Sequence, residues 1–304
     1  MTEGKYRGRF APSPTGPLHF GSLVAAVGSF LEARTRGGEW LVRMEDLDPL
    51  RVAPGAADGI LRTLAAYGLD CDGPVAYQSA RNDAYHAALH RLRELHLVYP
   101  CACSRREIAD SAIAGREGPV YPGTCREGFA AGKAARSLRL DTRGAAAAFE
   151  DAIQGQIVCE LERESGDFVL YRADGAYAYQ LAVVVDDAEQ GITDVVRGAD
   201  FLASTPRQIY LQQLLGLPRP RYVHLPIAVN ARGEKLSKQT LALPLDRTSP
   251  LPALIAALAF LGQQPPHELA RETVRAFWKW AVENWKLDRV PRVATAPAGF
   301  SGSQ

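Results

Sequence analysis

The stretch from Arg9 to Glu45, RFAPSPTGPLHFGSLVAAVGSFLEARTRGGEWLVRME, restricts the fold more than any other part of the chain. It parses as strand, Pro/Gly loop, helix and strand, which predicts a right-handed parallel crossover with the helix packed on a sheet. Leu23, Val24, Val27, Phe30 and Leu31 recur at helical spacing and give that helix one sheet-facing side. Pro12, Pro14 and Pro17 stiffen the loop, while Gly16 and Gly21 let backbone approach a ligand without interference from a Cβ. Ser22 is placed to cap the helix, whose free N–H groups and positive dipole end would face an anion over the loop. Trp40 to Met44 is then a short apolar strand running into Glu45, Asp46 and Asp48. Ligands of parallel sheets bind beyond the carboxyl ends of the strands, and this loop lies at that edge. Taken alone, the stretch fits an ordinary strand-to-helix turn as well as it fits a phosphate site.

With 304 residues and 47% hydrophobic content, the chain can bury enough core for one large domain with an insertion, or for two domains. Lys+Arg 35 against Asp+Glu 34 gives a net charge of +1, so a nucleic-acid partner would have to be held by local patches. The N-terminus, MTEGKYRGRF, lacks the apolar core of a signal peptide, and no segment is long and apolar enough to span a bilayer. A cytoplasmic protein with no membrane partner is the expectation. Five cysteines, an odd number without secretory context, favour reduced thiols or metal ligands over a disulfide framework.

Beyond the opening unit, Pro54 to Tyr67 reads as a helix ended by Gly68, and a second runs from after Ser79 to about His96 with Tyr85, Leu89, Leu92 and Leu95 as its core stripe. Leu97 to Cys103 is strand-like and opens a cysteine segment, C-A-C followed by Y-P-G-T-C at 121–125. The thiols of Cys101, Cys103 and Cys125 suit a tetrahedral zinc site, which needs a fourth ligand. Tyr121 stands in the right place but must lose a proton of pKa about 10, and Glu107 and Asp110 are nearby substitutes. Three reduced, buried cysteines are the alternative.

From Ser137 to Tyr171 short alternating segments predict antiparallel strands of an inserted subdomain. Tyr179 to Val185 then reads as a strand buried on both faces, ending in Asp186 and Asp187. Ile192 to Val196 is a further strand, ending at Arg197. Thr205, Pro206 and Gln208 form a capping box at the head of a helix running to Gly216. The turn holding Lys235, Ser237 and Lys238 is a cationic loop that could close over phosphates, although such turns are more often solvated hairpin tips. Helices are expected over Leu251 to Leu261 and Glu268 to Leu287, with Lys279, Lys286, Arg289 and Arg292 giving a basic surface, followed by a disordered tail from Pro291.

PSPTGPLHFGS at 12–22 together with KLSKQ at 235–239 resembles the two signature motifs of class I aminoacyl-tRNA synthetases. RFAPSPTG, the strand ending in MEDLD and the segment VVRGADFLASTPRQ narrow the likeness to the glutamyl branch, from Arg9 to about Leu261. Full glutamyl-tRNA synthetases continue into an anticodon-binding region for which this chain leaves no room. That feature, with the C-A-C and Y-P-G-T-C segment, resembles the glutamyl-Q tRNA(Asp) synthetase family. The resemblance implies an α/β fold with a Rossmann-type parallel sheet, an inserted α+β zinc-containing subdomain and a C-terminal helical region. The corresponding boundaries are 1–100 and 176–243 for the catalytic halves, 101–175 for the insertion, 244–290 for the helical region and 291–304 for the tail. It further implies activation of L-glutamate by ATP without tRNA, followed by transfer to queuosine in the anticodon of tRNA(Asp), by a protein expected to be a monomer.

Residue roles implied by the resemblance follow the motifs. Arg9, Phe10, Ala11, Pro12, Ser13 and Glu45 would line the glutamate site, with Glu45 on the substrate ammonium. Tyr179 and Arg197 would complete it, Arg197 forking onto the side-chain carboxylate and so separating glutamate from glutamine. His19, Gly21 and Ser22 would sit under the ATP phosphates with Lys235, Ser237 and Lys238. His19 and Lys238 are the catalytic pair, neutralising charge as the substrate carboxylate displaces pyrophosphate in line, with Mg²⁺ brought by ATP. One structural Zn²⁺ would be held by Cys101, Cys103, Tyr121 and Cys125. The chain departs from the family pattern at Ser22, where the first motif lacks its final histidine, and at Gln239, where serine is usual. Val183 replaces an asparagine that full glutamyl synthetases carry near the substrate, which predicts weaker glutamate binding. Two other readings compete: a shortened glutamyl-tRNA synthetase charging tRNA(Glu), and a catalytically silent synthetase-like binding protein.

Overall fold

The computed structural model describes residues 5–111, 113–115, 118–236 and 243–299. Strand β1 (Arg7–Phe10) pairs in parallel with β2 (Glu39–Met44), and α1 (Phe20–Thr35) crosses between them. The five apolar residues of the α1 stripe are all buried, as the helical spacing predicts. Helix α2 (Ala56–Ala66) ends in the left-handed turn at Gly68 (φ 67°) and leads to β3 (Ala76–Tyr77), which adds to β2 in parallel. Next come α3 (Asn82–Glu94), β4 (Val98–Cys101), α4 (Arg105–Ser111), β5 (Ile113–Gly115), β6 (Gly118–Val120) and β7 (Ser137–Leu140). The hairpin of β8 (Ala146–Asp151) and β9 (Gly155–Glu160) is followed by α5 (Leu161–Glu164), β10 (Phe168–Tyr171) and α6 (Tyr179–Glu189). Then β11 (Asp194–Gly198), α7 (Thr205–Leu215), β12 (Arg221–Leu225) and β13 (Ile227–Val229) complete the main sheet region. Helices α8 (Pro250–Phe260) and α9 (Val274–Asn284) and strand β14 (Thr295–Pro297) close the chain.

The two parallel segments meet side by side. Thr193 N donates to Arg7 O at 2.9 Å, setting β11 against β1, and β11 pairs in parallel with β12. Read across, the strands run β3, β2, β1, β11, β12, so sequence order reverses between β1 and β11. That reversal opens a crevice at the carboxyl ends, where ligands of such sheets bind. Helix α1 covers the seam closely at Gly28, where a Cβ would lie 2.5 Å from Leu225 Cδ1 and force that side chain to shift.

Of the segments read as antiparallel strands of an insertion, β7 lies between β10 and β4 and pairs with both in a separate small sheet. The β8–β9 hairpin instead extends the main sheet, with Asp151 of β8 opposite Tyr222 of β12. Asp151 is thereby carried to the catalytic half.

Several sequence expectations are corrected. The apolar run from Tyr179 is helix α6, not a strand, and every residue from Leu181 to Asp187 is buried. A helix enclosed all round by α3, α7, β7 and β10 loses the amphipathic pattern and reads like a buried strand. Ser22 does not cap α1, which starts at Phe20 with His19 at its N-cap. Thr205 and Gln208 form no capping box, since Ser204 precedes α7 and both side chains turn to Arg197. Leu95 leaves the core stripe of α3 and is half exposed, just beyond the helix end. The last helix begins only at Val274, where Thr273 accepts a hydrogen bond from Ala276 N; a short 3-10 turn over His267–Arg271 precedes it. The tail is not disordered through its described part: β14 pairs in parallel with β13.

The C-terminal helices share the core of the first half. Trp278 Nε1 donates to Tyr67 O at 2.8 Å and Trp285 Nε1 to Glu32 Oε1 at 2.8 Å, bracing α1 and α2 from behind. No helix among the described residues is long and apolar enough to cross a membrane.

Candidate active site

Arg9 near the end of β1 and Arg197 near the end of β11 bring two guanidinium groups to the crevice, both buried. A buried cation must be paired to persist, and each is paired differently. Arg9 meets Asp187 side-on, Nε to Oδ1 at 3.0 Å and Nη2 to Oδ2 at 3.3 Å, so its Nη1 end faces away from that partner. Arg43, fully buried in β2, holds Asp187 from the other side at 2.8 Å and reaches Glu45 Oε1 at 3.4 Å and Gln190 Oε1 at 2.6 Å. Although burial pushes the Asp187 carboxyl up, Arg9 and Arg43 outweigh it and hold it below the usual carboxylate range.

Arg197 donates Nε to His224 at 3.2 Å and Nη2 to Thr205 Oγ1 at 2.9 Å and Gln208 Oε1 at 2.7 Å. Its Nη1 donates to the Tyr179 hydroxyl at 3.3 Å. Four of the five N–H groups are therefore committed, and the two-point fork expected from sequence is not available without breaking one of these bonds. Arg197 offers a carboxylate one point of contact at Nη1, beside Tyr179. Burial, and then the charge of Glu45, push the Tyr179 hydroxyl up to about 12, so it stays protonated and can donate. Tyr179, bonded to Arg197, and Asp187, which joins Arg9 through Arg43 to Glu45, both belong to α6, which ties the two guanidinium groups and Glu45 into one site.

The Glu45 side chain is 9% exposed, and burial raises its carboxyl while Arg43 and Arg9 pull it back. Glu45 N donates to Pro12 O at 3.0 Å, which pins the Pro/Gly loop to the end of β2. Ala11 and Pro12 are half-buried and Ser13 is exposed at the crevice. Phe10 is turned into the core, stacked on Trp40 at 6.1 Å, so it can contribute only backbone.

At the head of α1 no acidic residue occupies the first turn, so the positive helix end keeps its preference for an anion. Gly21 is tightly framed: a Cβ there would lie 3.2 Å from His19 Cε1 and 3.3 Å from Leu236 O. Leu245 N donates to Leu18 O at 3.0 Å, and His19 bridges to Pro244. The two motif segments thus meet on both sides of the cationic turn. Lys235 pairs with Asp200, whereas Ser237, Lys238 and Gln239 lie outside the described residues. Ser22 is half-buried within the first turn of α1.

A second cluster forms where β4 meets the loop after β6. The Sγ atoms of Cys101, Cys103 and Cys125 all lie within 4.8 Å of one another, Cys103 and Cys125 at 3.4 Å. The Tyr121 oxygen is 3.4 Å from Cys101 Sγ and 3.6 Å from Cys103 Sγ, and it accepts from Cys125 N at 3.0 Å. Zinc bonds of about 2.3 Å at tetrahedral angles put sulfurs about 3.8 Å apart, so these four atoms fit one ion. Glu107 is instead taken by Lys133 and Ser104, and Asp110 lies on the exposed face of α4 near Arg106. Arg139 stacks 3.9 Å over the Tyr121 ring, a cation beside a site whose ligands are anionic when metal is bound. At the far end of the fold Lys279, Lys286, Arg289 and Arg292 are exposed, as expected.

Sequence reasoning missed Arg43, Asp151, Asp187, His224, Thr205 and Gln208 as parts of the site. One signal was present: Arg43 within the apolar strand Trp40 to Met44, and His224 within Tyr-Val-His-Leu, are charged or polar residues at buried positions, which demand partners.

The likeness to known proteins agrees with this geometry. Residues 5–271 match the model for the class I tRNA synthetases (E and Q), catalytic domain. The glutamyl-Q tRNA(Asp) synthetase of Dechloromonas aromatica is 62% identical over 289 residues, 94% of this chain and 96% of that protein. That of Aromatoleum aromaticum is 58% identical over 298 residues, 97% of this chain and 94% of its own length. The crystal structure of a glutamate tRNA ligase from Elizabethkingia meningosepticum, in complex with its amino acid, superposes with a TM-score of 0.78 over 97% of this chain and 67% of that one. At 24% identity that likeness shows the fold alone. The α/β fold with its reversed parallel sheet, the ligase class and the sequence kinship agree, and the chain belongs to the glutamyl-Q tRNA(Asp) synthetase family of class I synthetases.

Proposed function

We propose that this enzyme activates L-glutamate with ATP, without tRNA, and transfers it to queuosine in the anticodon of tRNA(Asp). The observation that carries the glutamate half is the convergence of Arg9, Arg197 and Glu45 on one crevice, two cations and one anion for an amino acid with two carboxylates and one ammonium. Arg9 Nη1 and Arg197 Nη1, with the Tyr179 hydroxyl, receive carboxylate oxygens, and Glu45 takes the ammonium. An amide in place of the side-chain carboxylate would bring N–H groups against N–H donors and lose the charge. A carboxylate oxygen of glutamate then attacks the α-phosphorus of ATP, the bond to the bridging oxygen breaks, and pyrophosphate leaves. His19, Gly21 and Ser22 at the head of α1, with Lys235, Ser237 and Lys238, hold the phosphates, and Mg²⁺ enters with ATP. Zinc at Cys101, Cys103, Tyr121 and Cys125 is structural and braces the segment between β4 and β7.

The queuosine half rests on the names of the relatives, which are glutamyl-Q tRNA(Asp) synthetases. Charging of tRNA(Glu) is the second reading, favoured by the fold shared with a glutamate tRNA ligase. The deciding experiment is glutamylation of tRNA(Asp) with and without queuosine, beside tRNA(Glu). Labelling confined to queuosine-bearing tRNA(Asp) supports the proposal, labelling of tRNA(Glu) supports the second reading, and glutamate-dependent ATP–pyrophosphate exchange separates either from a silent binding protein.

A further inference from the structure

Beyond its bond to Tyr179, Arg197 is held through its Nε by a chain of buried partners, His224 and Asp151. His224, on β12, is fully buried and lies between Arg197 and Asp151, itself carried to this place by the β8 hairpin. Asp151 is anchored by backbone donors: Ile153 N at 3.0 Å and Gln154 N at 2.9 Å to Oδ1, with His224 N at 3.1 Å to Oδ2. Its Oδ2 also faces His224 Nδ1 at 2.6 Å. A carboxylate at that distance assigns the proton to Nδ1 and leaves Nε2 as a lone pair. Arg197 Nε points at that lone pair from 3.2 Å. Thr205 Oγ1 lies 3.1 Å from Nε2 and 3.0 Å from Phe201 O, so its one proton can go to either acceptor while Arg197 Nε keeps its own approach to Nε2.

The donors run one way, from the Arg197 guanidinium to His224 Nε2 and from His224 Nδ1 to Asp151. Gln208 is fixed in the same sense, its Nε2 donating to Gln180 Oε1 at 2.9 Å so that its oxygen is turned to Arg197 Nη2. We propose that His224, oriented by Asp151, is a positioning residue that holds Arg197 with its Nη1 turned to the substrate and thereby sets selectivity for glutamate over glutamine. This rests on the glutamate reading given above. Loss of the Nε2 acceptor orphans a buried Arg197 N–H and lets the guanidinium rotate, which weakens a contact made by the amino acid and leaves the nucleotide end untouched.

The test compares His224→Gln, whose Oε1 can stand where Nε2 stands, with His224→Asn, which keeps a donor toward Asp151 but has no acceptor at that place. Both are assayed by ATP–pyrophosphate exchange, with thermal midpoints recorded. The expected result is a rise in the glutamate KM on the order of tenfold in the Asn variant, from loss of one charge-assisted hydrogen bond, and a far smaller rise in the Gln variant. The KM for ATP and kcat should change much less, and discrimination against glutamine should fall in the Asn variant. Equal glutamate KM values in the two variants, or parallel losses in the glutamate and ATP constants, would overturn the positioning role while leaving the glutamate reading intact. Absence of glutamate-dependent exchange in the unmodified protein would overturn both.

Discussion

The arginine crevice and the cysteine cluster are both buried polar sites, yet they are completed in opposite ways. In the crevice the chain itself supplies the partners: Asp187 sits between Arg9 and Arg43, Asp186 takes Arg81, Tyr85 and Gln78, and Arg197 is held by neutral acceptors. In the cluster three thiols and a phenol face one another, and Arg139 stacks on Tyr121 and bonds to Cys101. Burial pushes Cys103 up to about 11 and raises Tyr121 well above its ordinary value, whereas at Cys101 burial is outweighed by bonds from Tyr121 and Arg139, which bring it down to about 7, so one thiol gives up its proton readily and the others hold theirs. The arginine crevice is thus held by partners that folding supplies, whereas the cysteine cluster offers a ligand set that a metal ion could complete.

The sharpest way to break the first half of that comparison is Asp187→Ala, which strands Arg9 and Arg43 in the core. It should cost about 3–5 kcal/mol of stability and abolish glutamate-dependent exchange. Denaturant unfolding measures the first effect, and a loss below about 1 kcal/mol would mean the crevice is not held by its own charges.

For the second half, metal analysis should find about one zinc per chain, and Cys101→Ser should lose most of it. Full zinc retention in that variant would show that the cluster is completed by other ligands.

A third effect belongs to the crevice alone. Burial first, and then the charge of Arg197, lower the His224 pKa to about 4 despite the bond to Asp151. The ordinary value is about 6.5, so between the two the unfolded chain binds a proton that the folded chain does not, and stability falls as pH falls. The loss should reach about 3 kcal/mol by pH 4 and level off below it. Unfolding curves from pH 7 to pH 4 should show that slope, reduced in His224→Gln; an unchanged slope would detach it from His224.

The smallest effect concerns Val183. Tyr179, Val183 and Asp187 are spaced four residues apart on α6, so Val183 lies on the face between two residues of the crevice. Val183→Asn should lower the glutamate KM several-fold, by about 1 kcal/mol from one added hydrogen bond. No change would place that side chain out of the substrate's reach.

What could be read in the sequence follows from how local each feature is. The β1–α1–β2 unit, Arg9, Glu45 and Arg197 stand at strand ends within recognisable segments, so their placement at the sheet edge follows from chain order. The three clustered cysteines are legible by spacing, while Tyr121 as their fourth partner comes only from the family resemblance. Asp151 and His224 are not, because 73 residues separate them and β8 reads as part of an insertion until its pairing with β12 is seen. Helix α6 fails for a different reason, since burial on all sides erases the periodicity that tells helix from strand. Thr205 and Gln208 mislead because the same hydroxyl and amide groups that cap helices also accept from a guanidinium.

The central claim is that the crevice reads the charge of an amino acid's side chain. ATP–pyrophosphate exchange measured side by side with glutamate and with glutamine, in the absence of tRNA, tests it most directly. Exchange is expected with glutamate and little or none with glutamine at the same concentration; equal exchange with both, or none with glutamate, would show that the crevice does not read that charge.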